Sequence, residues 1–491
     1  MHAHSDWWLI AKPSHEPKLM QGITTELLGQ DGFSLAPLDV EHSFTLRELI
    51  AGMHGDPDVP WTWNSFGEYL DTLQNARPTI NATCLVGHGT VRFAVMGVEN
   101  RNPTADELDQ MKQLVRQSME DGAVGMSTGL LYAPCCYAQM EELVQLCKVV
   151  ADYGGIFVTH IRSEGDGLLE SIDEMLSVSE RSGVSLHISH FKVFGSDNWG
   201  KSTEALHKLE AARERGIDVT FDQYPYTAGS TGLVVVLPPW ANEGGTEKIL
   251  SRLASPEERE RMKKDILTNT SWDNFFKIAG ADRMLITWVN SDANRWIEGK
   301  TITEVAAIQN KGPLDFILDL LLEEHLETSM VNFSLSEDDL RQILVHPLQM
   351  VSTDSILLGK PHPRAYGTYP RILGHYVREE KLLPLEHAIR KMTSGPAQRL
   401  GLRDRGTLRE GAWADIVIFD PAHIEDRATY QNPVQYPRGI DYVLVNGVPT
   451  VVKGELQSGR AGQILRCTSE CEEYTSINSR LNRRTIRNGS R

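Results

Sequence analysis

The sequence predicts an α/β fold: a TIM-type (β/α)8 barrel with a cut-short first strand, joined to a small β-sandwich domain. Three observations carry this. Strand-like and helix-like segments alternate from about residue 24 to 221 and resume near 348, the pattern of a parallel sheet with crossover helices. Seven apolar runs finish in polar residues, and a shorter one opens the chain; polar carboxyl ends gathered on one rim are what such a barrel presents. No Gly-rich phosphate fingerprint opens a helix, which leaves the rival, an open doubly wound sheet, without support.

Taken in order, the chain opens Met1-His2-Ala3-His4-Ser5-Asp6. His2 and His4 are two apart, so on an extended strand both imidazoles share a face and can grip one ion. Alone, the pair suits an unstructured terminus at least as well. The strand expected at 24–28 runs into Gly29-Gln30-Asp31-Gly32, and the Pro-, Trp- and Gly-bearing stretch through Trp63 reads as a long loop. A helix is expected over 66–76 and a strand over 81–86, ending in Gly87-His88-Gly89-Thr90. Thr104 followed by Glu107 forms a capping pattern ahead of a helix to Asp121, with Leu108, Met111, Val115 and Met119 at helical spacing. Strands follow at 123–127, 155–158, 184–188 and 217–221, with helices at 140–153, 167–182 and 203–215 between them.

The alternation then lapses for about a hundred residues. The segment from about 238 to 345 is expected to fold as an insertion over the barrel mouth, with a strand at 284–289. A strand at 348–352 restores the pattern and ends Thr353-Asp354-Ser355, and a helix follows over 384–400. Residues 1–400 are thus the barrel, 401–465 a small β domain, and 466–491 a polar, disordered tail.

Composition narrows the partners. Hydrophobic content of 41% and charged content of 23% are those of an ordinary globular protein. A net charge of -17 disfavours nucleic acid and anionic membranes, which call for basic surface. No window resembles a membrane span or a signal peptide. The six cysteines make no paired zinc pattern, so reduced thiols in a cytoplasmic protein are expected. Oligomeric state leaves no trace in the sequence.

The chemistry concentrates at strand ends. His160 and His190 are thirty residues apart, one strand–helix–strand unit, each at the close of an apolar run. In a barrel they are neighbours on the same rim. With the pair His2 and His4 they point to a bound metal. Asp354 closes the last strand, beside the first in a closed barrel, where a carboxylate can accept a proton from water.

The motifs identify the chain as similar to the amidohydrolase superfamily. Within it the chain resembles the N-acyl-D-amino-acid deacylase (D-aminoacylase) family. His-Ala-His-Ser-Asp at 2–6, Gly-Ile-Thr-Thr at 22–25, Gly-Phe-Ser-Leu-Ala-Pro at 32–37 and Gly-His-Gly-Thr-Val-Arg at 87–92 carry the likeness. So do Met-Ser-Thr-Gly-Leu at 126–130, Thr-His-Ile-Arg at 159–162, the 362–371 block and Gly-Ala-Trp-Ala-Asp-Ile-Val-Ile-Phe-Asp-Pro at 411–421. The resemblance implies a metal-dependent hydrolase barrel, with one or two divalent ions, usually zinc. It implies hydrolysis of N-acyl-D-amino acids to a carboxylate and a D-amino acid. It makes His160 and His190 the tight-site imidazoles, His2 and His4 the first-strand pair, and Asp354 the catalytic carboxylate. Lys192 falls near the substrate carboxylate, with Tyr226, Arg295 and Arg364 as further candidates for that clamp.

The chain departs from the family in two places. Gln30-Asp31-Gly32 stands where many deacylases carry Asn-Cys-Gly, so an oxygen replaces a sulfur ligand. The chain also begins at its His-x-His, which predicts a start some tens of residues short and an uncovered edge on the β domain. The polar, Arg-rich carboxyl tail is a poor substitute for the missing strands. Two rivals stand beside the deacylase. A cyclic-amide hydrolase of the dihydropyrimidinase or hydantoinase kind commonly needs a lysine on the fourth strand, and 123–127 has none. A truncated, inactive binding protein would purify without metal.

Overall fold

Apolar runs too short for helices become strands buried on both faces, as parallel strands under crossover helices must be. The computed structural model describes residues 1–269 and 271–467. Parallel strands β1 (Thr25–Leu28) and β2 (Asn81–Cys84) pair with each other. Strands β3 (Val86–Gly87), β4 (Gly125–Gly129), β5 (Ile156–His160), β6 (Ser185–Ile188) and β7 (Val219–Gln223) pair successively, all parallel. Strands β8 (Ala228–Gly232), β9 (Met284–Val289) and β10 (Thr328–Phe333) form a separate antiparallel sheet in the order β8-β10-β9. Strand β11 (Gln349–Val351) returns to β7, giving a six-stranded parallel arc β11-β7-β6-β5-β4-β3.

The arc and the β1–β2 pair meet around Leu85, whose N–H donates to Leu28 O while Cys84 O accepts from Val124 N. On the far side, Met1–His4 fills the remaining position. Asp354 N donates to His2 O at 2.9 Å and His4 N to Ser355 O at 3.3 Å. Toward β1 the link is a side chain: Gln30 Nε2 donates to Met1 O at 2.9 Å and to Leu27 O. Among the described residues no continuous ladder closes this seam.

The expected helices form. Thr104 and Glu107 make the reciprocal capping box, and Ser65 and Glu68 make a second. Two expectations need correction. The stretch read as a loop through Trp63 contains a helix, Val40–His54, capped by Asp39 accepting from His42 N. Leu46, Ile50 and Met53 are buried at helical spacing along it, a period masked by the flanking Pro and Trp residues. The helix expected over 384–400 is two, Leu385–Met392 and Ser394–Arg399. Thr393 leaves helical backbone between them, which places Pro396 in a first turn, where its missing N–H costs nothing.

The antiparallel sheet of β8–β10 and its helices have their own apolar core, including Leu253, Ile286, Phe316 and Met330. Strands β12 (Ile416–Phe419), β13 (Ile440–Val445), β14 (Val448–Val452) and β15 (Glu455–Leu456) form one antiparallel sheet in sequence order. Val443, Val445 and Val451 join the main core, whereas Ile418 is 49% and Leu408 83% exposed. Strand β12 has no partner on its outer side among the described residues. The first two residues of the expected tail are held: Cys467 N donates to Gly122 O and Arg466 pairs with Asp71. The expectations for 468–491, Cys471 included, fall outside the described residues.

Candidate metal-dependent active site

Three expected site residues occupy backbone that L-residues seldom adopt. Asp31 (φ 54°), His190 (φ 34°) and Asp354 (φ 45°) follow β1, β6 and β11 in left-handed turns. Such backbone persists only where its surroundings over-determine it, and it clusters at functional sites. The anchors are visible. His190 N donates to Asp222 Oδ1, Asp222 Oδ2 lies 2.9 Å from His187 Nε2, and Asp354 N is held by His2 O.

These turns bring five buried ligand-type residues and Asp354 into one cluster, and all of them but His2 line one pocket. His2 Nε2 lies 3.4 Å from His4 Nε2, 3.5 Å from Asp31 Oδ1 and 3.6 Å from Asp354 Oδ1. His4 Nε2 is 3.3 Å from Asp354 Oδ1 and 3.6 Å from Asp31 Oδ2. His190 Nε2 is 3.7 Å from Asp31 Oδ1, and His160 Nδ1 is 3.0 Å from His190 Nε2 and 4.0 Å from Asp31 Oδ2. Ligand atoms at about 2.0–2.1 Å around a tetrahedral ion sit about 3.3–3.4 Å apart. Most of these spacings match that edge better than a hydrogen bond. Asp31 Oδ1 is buried without a hydrogen-bond partner, and its two oxygens face different imidazoles, as in a carboxylate able to serve two ions. The donor set, four imidazoles and two carboxylates, suits a divalent cation of the zinc class.

Burial drives the His2 imidazole down to about 3 and His160 to about 4, so both are neutral, the form that ligates. Burial and Lys192 oppose a proton on His190, but Glu164, Asp354 and Asp31 outweigh them and raise it to about 10. Ion binding there therefore releases a proton. Burial also opposes charge on Asp354, yet Arg364 and the His2 and His190 imidazoles hold its carboxyl well below the usual range.

The expected carboxylate clamp divides. Arg364 is fully buried, with Nη1 2.8 Å from Asp354 Oδ2 and Nη2 donating to Ser230 O. Lys192 lines the same pocket and donates to Glu164 Oε1. Tyr226 does not line that pocket: Pro225 and the tight turn closed by Tyr226 N donating to Tyr224 O end the extended run. Tyr224 lines it instead, its ring 4.5 Å from the Arg364 guanidinium. Arg295 is a correction too. Its side chain is 65% exposed and pairs with Asp292 near the end of β9, because the insertion sheet carries it away from the rim.

Two more residues escaped the sequence reading. Glu164 is buried between Lys192 and His190, with Oε2 3.9 Å from His160 Nε2. Burial opposes its charge, yet Lys192 and the two imidazoles hold its carboxyl down at about 2. Its spacing of four from His160 was the available signal. Tyr132 follows β4, with its ring 5.2 Å from His160 and its hydroxyl 3.2 Å from Thr231 Oγ1.

Comparison with known proteins gives the family. The amidohydrolase family model matches residues 1–245 and 286–451. A D-aminoacylase of Alcaligenes xylosoxydans xylosoxydans is 34% identical over 95% of this chain and 86% of its own. An N-acyl-D-glutamate deacylase from the same organism is 34% identical, over 95% and 84%. The crystal structure of an N-acyl-D-glutamate deacylase from Bordetella bronchiseptica, complexed with zinc and a phosphonate mimic of the tetrahedral intermediate, superposes with a TM-score of 0.79. That protein is 33% identical, over 95% of this chain and 87% of its own.

Proposed function

Because this chain belongs to the amidohydrolase family, we propose that it hydrolyses N-acyl-D-amino acids to a carboxylate and a free D-amino acid, with zinc as the preferred ion. The observation that carries this reading is the convergence of four imidazoles and the Asp31 and Asp354 carboxylates at ligand spacing. In this reading His2, His4, Asp31, His160 and His190 hold one or two cations. A cation there supplies an acidified water and a polarised amide carbonyl.

The remaining steps belong to the protein. Asp354 stays ionised at neutral pH, so Oδ1 can take a proton from water and deliver it to the leaving nitrogen. Arg364 fixes the other oxygen, Oδ2, and so orients the carboxylate. Lys192 receives the substrate α-carboxylate, with Tyr224 beside it. Glu164 holds the ammonium in place until substrate arrives. Residues 1–400 form the barrel in this scheme, the insertion at about 238–345 roofs its mouth, and 401–465 form the β domain. Cys84, Cys135, Cys136 and Cys147 are free thiols, which favours the cytoplasm.

The deciding experiment combines metal content with a panel of N-acetyl-D- and N-acetyl-L-amino acids. We expect stoichiometric metal and turnover confined to the D series. Asp31→Ala should release metal, whereas Asp31→Cys should keep it and sharpen the preference for zinc. A metal-loaded protein inert toward every D substrate sinks the reading, and full occupancy in Asp31→Ala removes Asp31 from the ligand set.

A further inference from the structure

We propose that the acyl half of the substrate is a long, uncharged hydrocarbon chain, seated in a cavity beyond Tyr132; this rests on the deacylase reading above. The cavity encloses about 840 Å³ between the helix Val40–His54, the segment after β4 and the insertion. Ile50, Leu131, Val235, Ile249 and Leu326 supply apolar wall. Tyr132 and Met53 line both this cavity and the pocket of metal-ligand groups, so the two spaces are neighbours across a tyrosine ring.

Geometry assigns the occupant. The cation lining the ligand pocket, Lys192, lies beside the Tyr224 ring. An α-carboxylate held there keeps the α-carbon and its side chain on that side, near Phe194, Leu335 and Asn332. The acyl carbon is on the opposite side of the scissile bond and directs its substituent away, toward Tyr132. An acetyl group would leave the cavity beyond that ring unused. A volume of this order matches sites that enclose a whole drug-sized ligand, and a decanoyl chain would occupy it.

Charge excludes the alternative of a second carboxylate on the acyl group. Arg162 is the cation lining the cavity among the described residues, and it is consumed: it pairs with Glu174 and donates to Cys136 O and Ala138 O. The other ionisable lining groups, such as Asp166, Glu170 and Asp273, are acidic. An anionic acyl end would meet repulsion without a partner.

The test is a chain-length series, N-acetyl, N-hexanoyl and N-decanoyl, on the one D-amino acid the metal-loaded enzyme handles best. Burying a methylene is worth about fourfold in binding, so kcat/KM should climb at least tenfold from acetyl to hexanoyl and stay high at decanoyl. Leu49→Trp, placed on the half-buried face of the covering helix, should cut the decanoyl-to-acetyl ratio at least tenfold with metal content retained. The wild-type series decides even if that variant fails to fold. Acetyl substrates cleaved as fast as decanoyl ones would overturn the acyl site and leave the deacylase reading standing. A preference that instead follows the bulk of the amino-acid side chain, with acetyl held constant and blocked by Leu49→Trp, would overturn it by assigning the cavity to the other half. Failure to cleave any N-acyl substrate would overturn both.

Discussion

Across the six-stranded arc, neighbouring strands are joined by backbone ladders that run without interruption from β3 to β11. Opposite it, Met1–His4 meets its neighbours through two backbone bonds and a group of buried polar side chains. Gln30 reaches Met1 O, Asp6 accepts from Gly29 N, and Lys18 bridges Glu26 and Thr353 Oγ1, with His15 2.8 Å from the same Glu26. Ladder bonds are numerous and indifferent to side chain, so the loss of one is shared. The seam depends on a few specific groups without access to water, where a missing partner leaves the full desolvation cost. The proposed ligands straddle both regions: His160 and His190 come from the arc, His2 and His4 from the seam, and Asp31 from the end of β1 beside it. The site therefore draws the weaker half of the ring against the stronger.

That contrast can be broken at graded points. The largest effect is expected at Asp354, where the seam carries the chemistry. Asp354→Asn should keep the fold and most of the metal and lower turnover by about 10²–10⁴-fold; near-normal rates at neutral pH would remove it from the mechanism. Next is Lys18→Met, which leaves the buried Glu26 with His15 alone. Breaking a buried pair costs about 3–5 kcal/mol, read from the denaturant midpoint. The matching arm on the arc is Lys208→Met, which opens the partly exposed pair with Asp173 and should cost about 0–1 kcal/mol. Equal losses in the two variants would erase the distinction between the regions.

Gln30→Leu is a finer probe. It removes the donor to Met1 O and Leu27 O, at about 1–3 kcal/mol for the groups left unsatisfied. Amide exchange should quicken in β1 and leave β5 and β6 protected; uniform exchange would mean that the seam opens only with the whole molecule. The smallest effect is expected at Arg295. Exposed and paired at the surface, Arg295→Ala should leave kcat/KM for any substrate within about twofold, as surface ion pairs contribute little. A tenfold loss would restore it to the clamp.

Legibility followed the same divide. The strands and helices of the arc could be read almost residue by residue, because period and capping are local: Thr104 and Glu107 announced their helix, and one β/α unit separated His160 from His190. The Asp31 turn was legible as an Asp-Gly following a strand. The helix Val40–His54 was not, since its apolar stripe is short and its flanks are rich in Pro and Trp. Tyr226 was read into the clamp, and Tyr224 was not, because the sequence after a strand does not show that a turn at Pro225 takes Tyr226 off the pocket. Arg295 looked available because a guanidinium in sequence carries no sign of where a sheet will take it.

Residue chemistry and spacing along the chain were enough to specify a metal-dependent barrel, the strand-end imidazoles and the carboxylate opposite them. Each strand and the polar residue that closes it depend on interactions within one strand–helix unit. The pairing of Glu164 with Lys192, the grip of Arg364 on Asp354, the ring of Tyr132 between two cavities and the polar seam depend on segments 10 to more than 300 residues apart meeting in space. Local periodicity holds no record of such meetings. They arise when the helices and the insertion pack onto the rim, and burial then decides which charges find partners.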